Sequence, residues 1–245
     1  MNSKGIDKLI LDSANAVSHS VESSEHYLEE EGVDINAYVA KGLNELNIKN
    51  KPKVSKELNK SQSYFRRAVL AAKIAHEYHS EWTFGVVKFQ KLVYLAEQTS
   101  EMKFAADYRK QAAGPMNHRF IHSIKKEFEK QGWFIVHQEG KYKKWIFTPQ
   151  ENVLAYEPYY SKYFSSVNED IQFLIESFRK WKTEKVELVA TLFACWLEAK
   201  EDKAIINDVI LTQKVYDWHK AKNKFSEKDI EESIRWMEES GVYPS

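Results

Sequence analysis

The chain has 245 residues, with 36 basic and 36 acidic side chains, 43% hydrophobic and 13% aromatic residues, and one cysteine. This composition argues against a protein that coats nucleic acid over its whole surface, a disordered chain and a disulfide-stabilised scaffold. Only 8 glycines and 5 prolines occur, and no signal-peptide pattern or long apolar run is present, so we expect a helix-rich cytoplasmic protein without a membrane span.

The charges are unevenly distributed along the chain. Residues 1–50 carry a net charge of −5, residues 51–164 a net charge of +9, and residues 165–245 a net charge of −4. Such a division indicates either self-complementary packing or a basic face that meets an acidic partner.

Residues 1–60 are predicted to form a separate N-terminal helical segment that binds a partner. Apolar residues at helical spacing predict one helix before Gly32 and a second from Ile35 to Leu46. The polar stretch 47–53, which contains a proline, predicts a linker. Two short helices bury little apolar surface, so we expect this segment to dock elsewhere or to move.

Residues 61–131 carry three helical patterns separated by turn signals. The first helix begins near Ser61, the second runs from about Gly85 to Thr99, and the third runs from the N-cap Asn117 to Gln131. The turn signals are Gly114 and Pro115, predicted to form a tight turn, and Gly132, predicted to end the third helix.

Residues 133–147 contain the strong strand signal of the sequence. Two β-rich runs, 133–137 and 142–147, flank Glu139-Gly140-Lys141 and predict an antiparallel hairpin. Alternation along the two runs places four apolar residues inward and the lysines outward. The inward residues are Trp133, Ile135, Trp145 and Phe147.

The remainder of the chain is predicted to be helical. The helices are Val167–Trp181, Lys185–Ala199, Ile205–Trp218 and a last one that begins at Ser226 and ends at Gly241. The predicted fold class is therefore mainly α: residues 61–245 form a helical domain with one small antiparallel, winged-helix-like β-hairpin, preceded by the short helical segment.

Patterns typical of catalysis are weak. No glycine-rich phosphate loop is present. His76 with His79, and His118 with His122, have spacings that can bring two ligands onto one helix face, but no third ligand is apparent nearby. Cys195 lies in an apolar helix, as a small core residue does. We expect no enzymatic activity, no cofactor and no metal; an enzyme using His118 and His122 is the least favoured alternative.

Lysines are concentrated around the predicted hairpin. They are Lys125, Lys126 and Lys130 on the preceding helix, and Lys141, Lys143 and Lys144 on the turn and second strand. In winged-helix proteins such a helix enters a DNA groove while the hairpin lysines meet phosphates. Ordinary solvated faces explain the same lysines, and the many aromatic residues suit protein–protein contacts equally well.

Three motifs in the middle of the chain carry a family resemblance. Residues 84–97 read FGVVKFQKLVYLAE, residues 112–116 read AAGPM, and Gly-Trp-Phe at 132–134 opens the predicted hairpin. Together they resemble the Panacea antitoxin-like domain, also called SocA-like, in the variant found at the C-terminus of some type I restriction–modification specificity subunits. The resemblance extends over about Ser61 to Pro244.

The resemblance implies a helical domain without a catalytic site, whose members neutralise a neighbouring toxin by direct contact. The leading hypothesis is therefore an antitoxin-like, non-catalytic protein-binding module of a bacterial or phage-defence system. The predicted partner-binding residues are Lys88, Lys91, Tyr94, Tyr27 and Tyr38, and the predicted structural motif comprises Leu92, Gly114, Pro115 and Trp133. The alternative is a DNA-associated accessory of a restriction–modification system that uses the lysine patch. The oligomeric state is left open.

Overall fold

Helices dominate the part of the chain that the structure, a computed structural model, describes: residues 60–100, 102, 108–141 and 144–244. The helices are α1 (Lys60–Tyr78), α2 (Val86–Thr99), α3 (His118–Gln131), α4 (Glu157–Phe164), α5 (Asn168–Phe178), α6 (Thr183–Glu201), α7 (Asp208–Trp218) and α8 (Glu227–Ser240). The strands are β1 (Arg109–Gln111), β2 (Gly114–Met116), β3 (Phe134–Glu139) and β4 (Lys144–Pro149). The predicted class, a mainly helical domain with a small antiparallel hairpin, is confirmed.

Two helix boundaries follow directly from capping residues. The Asn117 side chain accepts a hydrogen bond from the Phe120 N–H at the start of α3, and Gly132 ends that helix in the left-handed conformation. Ser226 and Asp229 form a reciprocal capping box at the start of α8. These predicted caps are confirmed.

Helices α2 and α6 form the centre of the fold. They pack against each other, α2 also packs against α1 and α5, and α6 also packs against α7, α8 and β2. Residues 88–97 of α2 and 186–196 of α6 are buried without interruption. Charged side chains lie within both runs and require partners in the interior, because an unpaired buried charge is strongly unfavourable. They are Lys88, Lys91, Glu97 and Glu187.

Strands β3 and β4 form the predicted hairpin, but one inward residue was assigned to the wrong face. Ile135 is 44% exposed, whereas Phe134 and Val136 are buried. Trp133 is buried as predicted, yet its N–H bonds to the Phe128 carbonyl as part of the α3 C-cap, so strand alternation starts only at Phe134. The assignment of Ile135 to the core is therefore wrong.

A second hairpin, β1–β2, replaces the tight turn predicted at Gly114 and Pro115. The two strands are antiparallel, Gln111 is paired with Gly114, and Ala112 and Ala113 form the turn between them. Gly114 has a φ of 88°, a conformation that glycine adopts without strain. The glycine and proline therefore lie in β2 rather than at the apex of a turn.

The predicted N-terminal helices and the linker 47–53 lie outside the described residues, and the domain boundary at residue 60 stays a prediction. Among the described helices, none combines the length and apolar character that crossing a membrane requires.

Candidate protein-binding surface

Lys88 lies in the interior, where its ammonium group binds backbone and hydroxyl oxygens. Its Nζ donates to the Trp181 carbonyl at 2.7 Å, to the Arg179 carbonyl at 3.2 Å and to the Thr83 hydroxyl at 3.0 Å. Both carbonyls follow the last turn of α5, where a positive charge complements the helix dipole. Burial nevertheless lowers the pKa of Lys88 to about 8. Lys88 thus joins α2 to the α5–α6 connection.

Lys91 lies on α2 beside a second buried lysine. Its Nζ donates to the Pro115 carbonyl of β2 at 2.5 Å. Lys222, which is completely buried, donates to the Glu187 carboxylate at 2.7 Å, and the half-exposed Lys224 lies 3.3 Å from the same carboxylate. Burial, and then the neighbouring Lys222 ammonium, lower the pKa of Lys91 to about 7. Lys91 therefore fixes the β1–β2 hairpin to the core.

Tyr94 and the predicted structural motif also belong to the core. Tyr94 is 3% exposed, and its ring meets the Tyr108 ring edge-on at 4.7 Å between centroids. The four motif residues, Leu92, Gly114, Pro115 and Trp133, are all buried. The motif that carries the family resemblance thus performs packing in this structure.

The predicted partner-binding residues therefore do not form an open surface in the described part of the chain. Lys88, Lys91 and Tyr94 are interior, while Tyr27 and Tyr38 lie outside the described residues. Their contact with a partner stays a prediction. Sequence alone places lysines on the surface by default, because a lysine is rarely buried without a specific partner.

A buried cluster of three polar side chains connects α1, α2 and the chain before β1. Arg67 donates from Nε to Glu97 and from a terminal nitrogen to the Tyr108 hydroxyl at 2.6 Å, and the Tyr108 hydroxyl donates to Glu97 at 2.8 Å. The Arg67 guanidinium also lies 3.9 Å above the Phe120 ring centroid. Burial raises the pKa of Glu97, while Arg67 opposes that shift. Sequence spacing does not reveal this cluster, because its members are 11 to 41 residues apart.

The predicted lysine patch is only partly available to a ligand. Lys125 and Lys130 form ion pairs of 3.9 and 3.8 Å with glutamates of their own helix. Lys126 and Lys141 are exposed, and the exposed Lys144 donates to a backbone carbonyl of the α1–α2 connection. Lys143 lies outside the described residues. Such ion pairs reduce the positive potential that α3 presents to a phosphate backbone.

The structure also shows where the histidines and the cysteine considered for catalysis or metal binding lie. His118 and His122 are exposed on α3, and His76 bonds through Nδ1 to the Tyr156 hydroxyl at 2.7 Å. Within the described residues, no group of three or more histidine, cysteine or acidic side chains could hold a metal ion. Cys195 is fully buried, and its burial, with Glu198 nearby, raises the pKa of the thiol to about 12.

Three partly exposed aromatic rings and one arginine lie where α1 packs against α4. We call these four residues the aromatic patch: Phe65, Arg66, Tyr159 and Tyr163. The Phe65 ring meets Tyr159 edge-on at 5.2 Å between centroids, and Tyr159 stacks on Tyr163 at 6.3 Å. The Arg66 guanidinium lies 4.7 Å from the centroid of the Tyr163 ring. Tyr159 is 43% exposed, and the other three are half-buried.

The aromatic patch has the composition of a protein-binding hot spot. Tyrosine, tryptophan and arginine dominate such sites; the two aromatic residues offer a large contact area with few rotatable bonds, and arginine adds several hydrogen-bond donors. Phe65 also contacts the buried Trp133 at 6.1 Å between ring centroids, so the patch rests on the core. The α4 sequence EPYYSKYF carries the signal, three tyrosines within eight residues, but the helices predicted for this part of the chain begin only at Val167.

No protein-family model matches this sequence, and neither does any curated protein. The resemblance to the Panacea-like family therefore stays a prediction that rests on the motifs of residues 84–134.

Proposed function

We propose that this chain is a non-catalytic protein-binding module that acts in the manner of an antitoxin. It would neutralise or regulate a neighbouring toxin or defence protein by direct contact. The aromatic patch is the observation that carries the proposal, because it is the described surface at which several aromatic side chains and an arginine meet while one tyrosine remains 43% exposed.

The aromatic patch offers a partner a large contact area that is already ordered. Each large aromatic side chain can bury about 150–250 Å² in a contact. The rings of the aromatic patch already hold one another in place, so a partner that covers them loses little side-chain entropy on binding. An apolar partner surface with an acidic group facing Arg66 fits this arrangement.

The first prediction concerns the aromatic patch. The double variant Tyr159→Ala with Tyr163→Ala is expected to bind the protein encoded by the adjacent gene at least ~30-fold more weakly, since a hot-spot residue contributes about 2 kcal/mol or more. In co-expression, the variant should also lose protection against the toxicity of that protein. Binding is measured by titration calorimetry and protection by growth.

Phe173→Ala is the matched control, because Phe173 is 44% exposed on α5 and belongs to no ring cluster of the described residues. It should bind and protect like the parent chain. A neighbouring protein that is harmless alone, or whose toxicity this chain leaves unchanged, contradicts the antitoxin-like function. Equal binding by the double variant and the control contradicts the role of the aromatic patch.

Duplex DNA binding is the second candidate, and the exposed side of α3 favours it. Arg119 and Lys126 are exposed there and form no ion pair with other described residues. We expect the double variant Arg119→Ala with Lys126→Ala to bind duplex DNA with a weaker dependence on salt. The slope of log affinity against log salt concentration should become smaller in magnitude by about 2, roughly 0.9 for each lost phosphate contact. Lys125→Ala should change it less, because Lys125 pairs with Glu129. No shift of labelled duplex at low salt overturns this candidate.

A further inference from the structure

Trp82 stands out because it is the large aromatic residue that the described surface exposes most. It lies on the connection between α1 and α2, and 77% of the residue is exposed. Burial of an indole ring contributes strongly to stability, so a tryptophan left in solvent is unusual in a folded domain.

The backbone around Trp82 is firmly held even though its ring is free. Lys144 Nζ donates to the Trp82 carbonyl at 2.8 Å, and the Thr183 hydroxyl donates to the Thr83 carbonyl at 3.0 Å. The buried Lys88 binds the Thr83 hydroxyl, and Phe84 is packed in the core. The backbone that carries the indole ring is therefore already fixed, so less conformational entropy is lost when a ligand covers the ring.

Exposed lysines lie on two segments that are hydrogen-bonded, directly or through Lys88, to this connection. Lys144 and Lys141 belong to the β3–β4 hairpin, whose Lys144 contacts the Trp82 carbonyl. Lys180 and Lys182 lie on the α5–α6 connection, which Lys88 and Thr183 tie to Thr83. We call these four residues the lysine frame.

Several carboxylates also lie in this region, and most of them are paired. Glu81 precedes Trp82 but already pairs with Arg179 at 3.3 Å. Glu139 lies opposite Lys144 in the β3–β4 ladder, but no ion pair joins these two described side chains. Glu77 pairs with Lys73 and Arg179, and Glu184 lies 3.8 Å from Lys224. The four lysines therefore outnumber the one carboxylate of this region that forms no ion pair with a described residue.

We propose that Trp82 and the lysine frame bind single-stranded nucleic acid, with a base stacked on the indole ring and phosphates held by the lysines. Single-strand binding combines these two elements, an aromatic platform and a positively charged track. A protein interface favours tryptophan but is depleted in lysine. A membrane anchor needs a larger apolar face than one ring. This binding requires no partner protein, so it is independent of the proposed antitoxin-like function.

The test uses the full chain and a fluorescein-labelled dT15 oligonucleotide, followed by fluorescence anisotropy at low salt. Trp82→Ala is expected to bind about 5- to 150-fold more weakly, because stacking of one base contributes about 1–3 kcal/mol. Trp82→Phe should retain part of the affinity. Lys180→Ala with Lys182→Ala should reduce the salt slope by about 1.4, roughly 0.7 per phosphate contact.

Phe173→Ala is the control, because it removes an exposed ring that belongs to no ring cluster of the described residues. Removal of an exposed indole should leave the circular dichroism spectrum and the unfolding midpoint unchanged, so a loss of binding would report on the contact. Equal binding of dT15 by Trp82→Ala and the parent chain overturns the proposal. It is also overturned if polyglutamate displaces dT15 at equal charge, or if Trp82 is needed for sedimentation with phosphatidylserine vesicles but not for binding of dT15.

Discussion

Replacement of Arg67 by methionine is expected to lower the free energy of unfolding by about 3–5 kcal/mol, the usual effect of removing one partner of a buried ion pair. Among the described residues, Glu97, 1% exposed, would retain only the Tyr108 hydroxyl as a side-chain hydrogen-bond donor. Methionine fills a similar volume, so the loss reports on charge rather than on a cavity. Urea unfolding followed by circular dichroism measures it.

The pH dependence of the Arg67→Met variant distinguishes charge from packing. Without Arg67, burial holds the pKa of Glu97 above its unfolded value, so the folded state binds a proton more tightly than the unfolded state does. Stability is then greatest at pH values below the unfolded pKa and declines as pH rises through the folded pKa. We expect the difference from the parent chain to widen as the pH rises above the usual pKa of a glutamate.

The double variant Arg67→Met with Glu97→Gln provides the control. It removes both charges, so it should recover most of the lost stability, and the added loss of stability with rising pH should disappear together with the Glu97 carboxyl group. A single variant within 1 kcal/mol of the parent, or a double variant no more stable than the single one, contradicts the view that the buried charge pair supports the α1–α2 packing.

Replacement of Gly114 by alanine is the second change with a large expected effect. The glycine has a φ of 88°, and a Cβ placed there would lie 2.5 Å from the Thr191 hydroxyl oxygen and 3.6 Å from Lys222 Nζ. A left-handed conformation in a residue with a Cβ costs about 1–2 kcal/mol, and overpacking a core adds about 1–3 kcal/mol. Thermal and urea unfolding should therefore show a loss of about 2–5 kcal/mol.

Two further variants separate these contributions. Gly140 has a φ of 71° and open space around its Cβ position, so Gly140→Ala should show the conformational effect alone. In Gly114→Ala with Thr191→Ala the clash is removed, and the loss should fall towards that of Gly140→Ala. If Gly114→Ala lowers the free energy of unfolding equally with and without Thr191→Ala, close contact with α6 is not the reason that this position requires glycine.

Local signals were sufficient to predict much of the fold. The Asn117 cap, the Gly132 stop and the Ser226–Asp229 capping box act within a few residues, so they are visible in the sequence. The predicted face of Ile135 is wrong because the strand begins at Phe134, one residue later than the sequence pattern indicates. Whether Trp133 belongs to the strand or to the helix cap is decided by a backbone hydrogen bond to α3.

The functional residues depend on contacts that sequence spacing does not reveal. Lys88 and Lys91 lie three positions apart on α2, but one binds the end of α5 and the other binds β2. Their charge suggested a surface, whereas burial of the whole of 88–97 results from packing on several sides. Trp82 was likewise overlooked, because nothing local distinguishes an exposed tryptophan from a core one.

Cys195, the single thiol of the chain, has a practical consequence for following the movements of the domain. It lies on the central helix α6 with no solvent exposure, and burial strongly disfavours its reactive thiolate form. Alkylating reagents should therefore modify it only in molecules whose helical core has opened. The rate at which Cys195 is labelled in native buffer then reports how often the core around α6 opens. Mass spectrometry measures this rate without any engineered probe.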